Sequence, residues 1–355
     1  MNRNSAAPVS ASASASQSAS ESAAPSAGPD RDTARFRPAA PPAAGVRIAW
    51  PDLPAAQRAR VEEALGARVV EAATQAGGFS PGAAARLRLA DGRRAFVKAV
   101  SAAQNPDSPD FHRREARIAA ALPPSVPSPR LLAAFDDDGW VVLVFEDVEG
   151  TTPAQPWRRD ELRRVVAALA EMARVLDPSP IAAPSIVERG RGMFQGWRLL
   201  AAAREAGADD LAGLDPWAVR HLDRLARAEQ GWEAGTVGTA LVHGDVRADN
   251  LLLTADRVVV VDWPSACLAA PWFDLVAMAP SVWMHSGPEV SREITEHPLI
   301  RDSDPAAVTV LLTALAGFFL QQGRQPAPPG LPTLRAFQLA QGDAALEWLR
   351  QRCAW

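Results

Sequence analysis

Cysteine is scarce in this sequence. Its two cysteines, Cys267 and Cys353, lie far apart in a chain of 355 residues. A disulfide framework needs more cysteines than this, and no cysteine spacing typical of a metal site is present. We therefore expect a fold without disulfides, for which a reducing, cytoplasmic location is the default.

An excess of basic charge and a long apolar run are also missing. The net charge is -4 and the pI is near 5.8, which gives no basic footprint for nucleic acid. The most apolar segment, residues 306–320, is shorter than the roughly 20 residues that a membrane-spanning helix needs. We expect neither a nucleic-acid partner nor a membrane, and nothing indicates a protein partner.

Lysine is almost absent. Of the 37 basic residues, only Lys98 is a lysine. Lysine is a compact point charge on a flexible stem, whereas arginine is a planar fork. The single lysine could therefore have a role that arginine cannot fill, although composition alone is explained equally well by chance.

The chain divides by composition and pattern into three parts. Residues 1–45 are rich in Ala, Ser and Pro and are predicted to be a disordered tail. Residues 46–148 are predicted to form a β-rich N-lobe, and residues 149–355 a larger, mainly helical C-lobe. The predicted fold class is thus α+β with two lobes. Helices are predicted at 53–65, 110–122, 160–175, 194–206, 216–228, 305–322 and 333–351, and strands at 68–74, 86–90, 95–100, 141–145, 251–253 and 258–261.

The most specific motif lies in the predicted C-lobe. His243-Gly-Asp245 is followed by Asn250, and Asp262 comes directly after the apolar strand at 258–261. This order is typical of a phosphoryl-transfer loop followed by a metal-binding aspartate. A carboxylate at Asp245 can orient an attacking hydroxyl, while Asn250 and Asp262 offer the hard oxygen ligands that suit Mg²⁺. Each residue alone could be a turn residue, but the combination predicts a catalytic loop.

The predicted N-lobe has features that agree with this loop. Lys98 lies on a strand, as does the kinase lysine that contacts nucleotide phosphates, and Glu115 on the next helix can pair with it. The glycine-rich turn with Gly78, Phe79 and Ser80 could cover phosphates through its backbone amides. It matches neither the P-loop nor the dinucleotide-binding pattern.

With these residues in place, the sequence resembles the aminoglycoside phosphotransferase family, which includes choline and homoserine kinase-like members. The resemblance covers roughly residues 65–350 and is strongest around His243 and Asp262. It implies a protein-kinase-like fold and ATP and Mg²⁺ as cofactors. Asp245 would be the catalytic base, and Asn250 and Asp262 would be metal ligands. Lys98 would bind phosphates and Glu115 would orient it, while a linker including Glu146 and Val148 would bind adenine.

The resemblance also implies that His243 is structural and that Asp274 supports the catalytic loop. Arg247 is a departure, because the family often has a second histidine at that position. Trp263-Pro264 follows the metal aspartate where protein kinases have Phe-Gly. Together with the short path from Asp262 to Asp274, this argues against a protein kinase with an activation segment.

Two functions therefore remain open: a phosphotransferase acting on a hydroxyl of a small molecule, and a nucleotide-binding pseudokinase that regulates a partner. The acceptor is not indicated. From Thr151 to Trp355 there are 24 acidic residues and 20 arginines, and this near balance gives no support to a polycationic antibiotic.

Overall fold

The computed structural model describes residues 41–43, 45–79, 81–353 and 355. The tail predicted at 1–45 falls almost wholly outside the described residues. The described chain begins with a β-rich part and continues into a larger helical part, so the α+β fold class is confirmed.

A six-stranded sheet forms the β-rich part. Its strands run in the order β1-β3-β4-β6-β5, and β2 also pairs with β3. The β1–β3 pair is parallel and the other pairs are antiparallel. The elements are β1 (Arg47–Ile48), α1 (Ala55–Leu65), β2 (Val69–Thr74), β3 (Gly82–Leu89), β4 (Arg94–Ser101), α2 (Ser108–Ala121), β5 (Leu131–Asp137) and β6 (Trp140–Glu146).

Strand β6 shows how this sheet is covered on both faces. Successive side chains of a strand point to opposite faces. Val141, Leu143 and Phe145 pack toward α2, whereas Val142 and Val144 join the core on the α1 side. The continuous apolar run therefore reflects burial on both faces, and α2 packs on β6 and on its neighbours β4 and β5.

The helical part is built around one large hydrophobic core. Its helices are α3 (Arg159–Val175), α4 (Ile186–Gly190), α5 (Gly196–Glu205), α6 (Pro216–Arg220), α7 (Leu222–Glu229), α8 (Trp232–Thr236), α9 (Phe273–Thr295), α10 (Pro298–Arg301), α11 (Pro305–Gly323) and α12 (Leu334–Arg352). Four short strands are inserted between α8 and α9: β7 (Ala240–Val242), β8 (Leu251–Leu253), β9 (Val258–Val260) and β10 (Cys267–Ala269). Strand β7 pairs with β10, and β8 pairs with β9.

Helix α11 lies at the centre of the helical part. By length and composition it could cross a membrane, but it packs against α5, α8, α9 and α12. Its Leu311, Leu312 and Ala314 are fully buried. The apolar composition of α11 is therefore that of a core helix.

Helices α5 and α11 approach each other unusually closely. A Cβ on Gly196 would lie 2.0 Å from the carbonyl oxygen of Gly317, so this crossing requires residues without side chains. Glu229 on α7 is fully buried beside it and accepts hydrogen bonds from the backbone N–H groups of Trp197 and Arg198 at 3.1 and 3.2 Å. Its carboxylate thus satisfies N–H groups that the first turn of α5 leaves without helical partners.

Candidate active site

The residues around His243 form a short loop between two pairs of strands. The loop leaves β7 and passes through a 3₁₀ turn at Ala248–Asn250 into β8. Gly244 has φ +79°, and a Cβ there would lie 2.5 Å from the carbonyl oxygen of Ser265. A side chain at this position would therefore push the loop away from the segment that follows Asp262.

Two buried side chains fix the backbone of this loop. The carboxylate of Asp274, at the start of α9, accepts the N–H groups of His243 and Gly244 at 2.7 and 2.8 Å. His243 is fully buried, and its Nε2 lies 3.0 Å from the carbonyl oxygen of Val261. The Asp245 N–H donates to Nδ1 of His243 at 3.2 Å. Burial lowers the pKa of His243, which favours a neutral ring with Nε2 as the donor.

Asp245 is half-buried and is held by the residues that follow it. The Asn250 side-chain amide donates to the main-chain oxygen of Asp245 at 2.8 Å. Arg247 Nη1 donates to both carboxylate oxygens of Asp245 at 2.6 and 2.7 Å, and Arg247 also binds Asp249 through Nε and Nη2. Desolvation raises the pKa of Asp245 to about 6, although the charge of Arg247 opposes the rise.

Lys98 connects the two parts of the chain. On β4, its Nζ donates to both oxygens of Glu115 at 2.7 and 2.9 Å and to Oδ1 of Asp262 at 2.7 Å. Glu115 is 3% exposed, so this carboxylate depends on Lys98 for its neutralisation. The sheet, α2 and the segment after β9 therefore meet at one ammonium group.

Burial and the charge of Asp262 raise the pKa of Glu115, whereas the charge of Lys98 opposes the rise. Burial would lower the pKa of Lys98, but the adjacent Asp262 and Glu115 raise it. Burial would likewise raise the pKa of Asp262, yet the Lys98 charge lowers it to about 2. Asp262 also has φ +70°, an unfavourable conformation for a residue with a side chain. A strained, ionised carboxylate facing a cleft is typical of a functional position.

A cavity of about 350 Å³ lies between the sheet and the helical part. Most of the predicted site residues line it: Gly78, Phe79, Lys98, Glu115, Glu146, Val148, Asn250 and Asp262. Asp245 lies next to this cavity through its bond with Asn250. Ser80 lies outside the described residues.

The glycine-rich turn reaches across the cavity to the helical part. The rings of Phe79 and Phe337, the latter on α12, pack edge to face with centroids 4.9 Å apart. The Arg247 guanidinium lies 5.5 Å from the centroid of Phe79 and 5.9 Å from that of Phe337. The turn thus lies over the loop that carries Asp245.

The linker after β6 is held by arginines that the sequence analysis did not identify. Arg86 donates to the carbonyl oxygen of Val148 at 3.1 Å and contacts Asp147 at 3.3 Å. The side chain of Glu146 pairs with Arg130 at 2.8 Å. The linker is therefore fixed in place on the cavity wall.

Sequence reasoning also missed Arg47, His112 and Phe337. Arg47 and His112 line the same cavity. Arg47 lies on a strand of only two residues, and Phe337 lies on a helix 92 positions after Asp245. No local pattern marks any of these residues, because their place in the site depends on tertiary packing.

Residues 76–308 match the family described as the phosphotransferase enzyme family. This match covers more than half of the chain, and the chain belongs to that family. No curated protein matches the chain by sequence.

Solved structures similar to this fold include aminoglycoside phosphotransferases. A thermostable mutant of aminoglycoside phosphotransferase APH(4)-Ia in its apo form is 16% identical, with a TM-score of 0.56 over 84% of this chain and 100% of that chain. The ternary complex of its N203A variant with AMP-PNP and hygromycin B is 15% identical, with a TM-score of 0.57 over 85% and 99%. This likeness confirms the kinase-like fold class.

Proposed function

We propose that this protein transfers the γ-phosphate of ATP to a hydroxyl group of a small molecule. The observation that carries the proposal is the contact of Lys98 with both Glu115 and Asp262 at the wall of one cavity. Lys98 and Asp262 meet here although they are 164 positions apart in the chain. Lys98 and Glu115 form a Lys–Glu pair of the kind that positions the phosphate-binding lysine in protein kinases.

Each predicted residue has a role in this proposal. Lys98 binds phosphate oxygens, and Glu115 holds Lys98 in place. Glu146 and Val148 present the linker backbone to the adenine ring, while Gly78 and Phe79 cover the phosphates. Asp245 orients the acceptor hydroxyl and receives its proton, with the loop held from below by Asp274.

The donor set around Asn250 and Asp262 fits Mg²⁺. The Asn250 amide nitrogen is bonded to Asp245, which leaves its oxygen Oδ1 for a cation, and Lys98 binds only Oδ1 of Asp262. Within the described ranges no group of three or more His, Cys, Asp or Glu side chains could hold a metal ion. Two hard oxygen ligands completed by phosphate and water are typical of nucleotide-bound Mg²⁺. When bound, the ion would neutralise charge on the phosphates.

Two further observations support the proposal. The APH(4)-Ia ternary complex contains AMP-PNP, an ATP analogue, which supports ATP as the donor. That complex also contains hygromycin B, which supports a small molecule as the acceptor. Arg247 next to Asp245 places a cation beside the acceptor position and gives no support to a polycationic acceptor.

The Arg247 contact also favours a second candidate, a nucleotide-binding pseudokinase. Both carboxylate oxygens of Asp245 are occupied by Arg247 at 2.6 and 2.7 Å. A base held in this way must exchange a hydrogen bond with the acceptor before it can act. If Arg247 keeps its bonds to both carboxylate oxygens of Asp245, the protein binds nucleotide without transferring phosphate.

The deciding experiment measures nucleotide turnover with pooled aminoglycosides, macrolides, amino alcohols, sugars and nucleosides. We expect one pool to stimulate turnover and Asp245→Asn to abolish that stimulation while keeping nucleotide binding. Asp256→Asn in the exposed β8–β9 turn is the matched control and should behave as wild type. Binding of ATP and Mg²⁺ without turnover in any pool would favour the pseudokinase.

A second variant tests the metal ligand. Asp262→Ala should lose Mg²⁺-dependent nucleotide binding, because it removes the carboxylate that faces the cavity beside Lys98. Titration of nucleotide with and without Mg²⁺ measures the dependence directly. Full Mg²⁺-dependent turnover in this variant would show that the site is assigned incorrectly.

A further inference from the structure

Strand β1 lies at the edge of the sheet, beside the glycine-rich turn. Arg47 is opposite Gly82 in the parallel β1–β3 pair. The Gly82 N–H donates to the carbonyl oxygen of Val46 at 3.2 Å, and the Val46 N–H donates to that of Gly330 at 2.9 Å. These bonds fix the backbone of Arg47 between the turn and the helical part.

The side chain of Arg47 extends from this strand into the cavity. Its Nη2 donates to the carbonyl oxygen of Gly77 at 2.5 Å, and a Cβ on Gly78 would lie 3.3 Å from the same nitrogen. Arg47 lines the cavity together with Lys98 and Asp262. The guanidinium therefore lies directly under the turn, on the side where the ionic groups of the cavity are found.

Electrostatic effects agree with this position. Burial lowers the pKa of Arg47, while the charge of Asp262 opposes the decrease. Burial lowers the pKa of His112 to about 4, and the positive charges of Lys98 and Arg47 contribute to the same direction. His112 is thus neutral near pH 7, and Arg47 and Lys98 are the cations that act on this end of the cavity.

The charge balance shows why a second cation matters. Lys98 already pairs with two carboxylates, Glu115 and Asp262. A nucleoside triphosphate is strongly anionic, so a further cation at this end of the cavity favours its binding. Arg47 supplies one, and its planar fork suits phosphate oxygens.

We propose that Arg47 is a further phosphate-binding residue, which contacts the terminal phosphates of a nucleoside triphosphate beneath the glycine-rich turn. This proposal rests on the nucleotide site of the proposed function. Arg47 lies before the segment 76–308 that matches the family.

A purely structural role for Arg47, bracing the turn through Gly77, makes a different prediction. Because the turn covers the phosphates, losing a brace would also weaken ATP binding more than AMP binding. Arg47→Gln separates the two roles, since it keeps a donor for the carbonyl oxygen of Gly77 but loses the charge that a phosphate contact uses. The test is therefore the ratio of the affinities for ATP and AMP, measured by calorimetry with Mg²⁺ and without an acceptor. Melting temperatures of all variants are measured alongside.

We expect Arg47→Met to lower the ATP-to-AMP affinity ratio by about tenfold or more, since a charge-assisted hydrogen bond is lost. Arg47→Lys should restore part of the ratio because it keeps the charge. The control is Arg58→Ala on α1, where an arginine near in sequence also binds a backbone carbonyl oxygen, at 3.2 Å, but lies outside the cavity lining. It should bind as wild type does.

An equal loss of ATP and AMP affinity in Arg47→Met, or no loss of either, would overturn the proposal. In Arg47→Gln the ratio should fall as it does in Arg47→Met, and a ratio equal to that of wild type would also overturn the proposal, because only the charge is lost in that variant. Wild-type protein that binds no ATP would instead refute the nucleotide site itself. The failure of this inference is thus distinguishable from the failure of the proposed function.

Discussion

The pair formed by Lys98 and Glu115 should contribute strongly to the stability of the protein without nucleotide. Their side chains are 16% and 4% exposed, so water screens the interaction little. Replacing Lys98 by Met leaves a buried carboxylate without its cation, which costs about 3–5 kcal/mol in proteins. Glu115 can instead be protonated, which from its ordinary pKa costs about 3.7 kcal/mol at pH 7. This cost limits the stability that the variant loses at Glu115. We expect Lys98→Met to lower the free energy of unfolding by about 3–4 kcal/mol.

Glu115→Gln should cost less, about 1–2 kcal/mol, because Lys98 keeps its contact with Asp262 at 2.7 Å. In the double variant the buried carboxylate of Glu115, which needs the Lys98 cation, is absent. The two losses should therefore not add, and the double variant should be at least about 1.5 kcal/mol more stable than their sum predicts. Denaturant unfolding of the four proteins, with two independent spectroscopic probes, measures this coupling.

Arg88 and Glu71 provide the matched control. Their side chains approach as closely, at 2.7 Å, but are 55% and 62% exposed. The same cycle, Arg88→Met with Glu71→Gln, should give a coupling below about 1 kcal/mol. Additivity of the Lys98 and Glu115 variants within about 0.5 kcal/mol would refute the reasoning, since it would mean that the short contact does not neutralise Glu115.

Three further outcomes are expected from other parts of the structure. Gly317→Ala should lower the free energy of unfolding by about 1–3 kcal/mol, because its Cβ would lie 2.6 Å from Trp197. Gly231→Ala is the control and should change the free energy of unfolding little, because its Cβ would meet nothing closer than 3.4 Å. Burial raises the pKa of Glu229, so the folded state holds this proton more tightly and stability falls as pH rises from the ordinary glutamate pKa through the raised one. The stability of wild type relative to Glu229→Gln should decrease across that range, and a flat or rising difference would contradict the shift. Asp274→Ala leaves two backbone N–H groups of the loop without their acceptor, and faster amide exchange there than in wild type checks this.

The helices with regular apolar spacing were predicted closely. The helix predicted at 160–175 is α3, Arg159–Val175, and that at 333–351 is α12, Leu334–Arg352. Strand β5 was not predicted, because Leu131–Asp137 carries no clear alternation of apolar and polar residues. Its side chains are alternately half-buried and exposed. Helix α9 was not predicted either, since Pro280 and Pro288 interrupt its pattern, and the backbone at Gly287 is indeed non-helical.

One segment was predicted to be a continuous helix, and this prediction was wrong. The segment 216–228 was expected as a single helix, but α6 ends at Arg220 and α7 begins at Leu222. His221 separates them with φ -105° and ψ 14°, and its ring packs on Trp217 with centroids 4.6 Å apart. A break of one residue leaves the apolar spacing unchanged, so the sequence pattern does not reveal it.

For the candidate site, the sequence predicts residue types but not their contacts. The order of His243, Asp245, Asn250 and Asp262 is local, so its geometry could be anticipated from the chain. The Arg247 bond to Asp245 was not predicted, although only one residue lies between them, because a side chain's direction depends on its surroundings. Phe337 and Arg47 reach the site from α12 and an edge strand, which no spacing in the sequence indicates.

The pairing of β7 with β10 has a consequence for the two carboxylates of the candidate site. Val242 and Cys267 are partners in that ladder, and both Asp245 and Asp262 lie in the stretch that it closes. The two carboxylates are thus carried by one segment whose ends are joined by the β7–β10 ladder. Helix α9 begins soon afterwards, at Phe273. Under the proposed function, the base and the metal ligand therefore lie on one backbone segment and would move together.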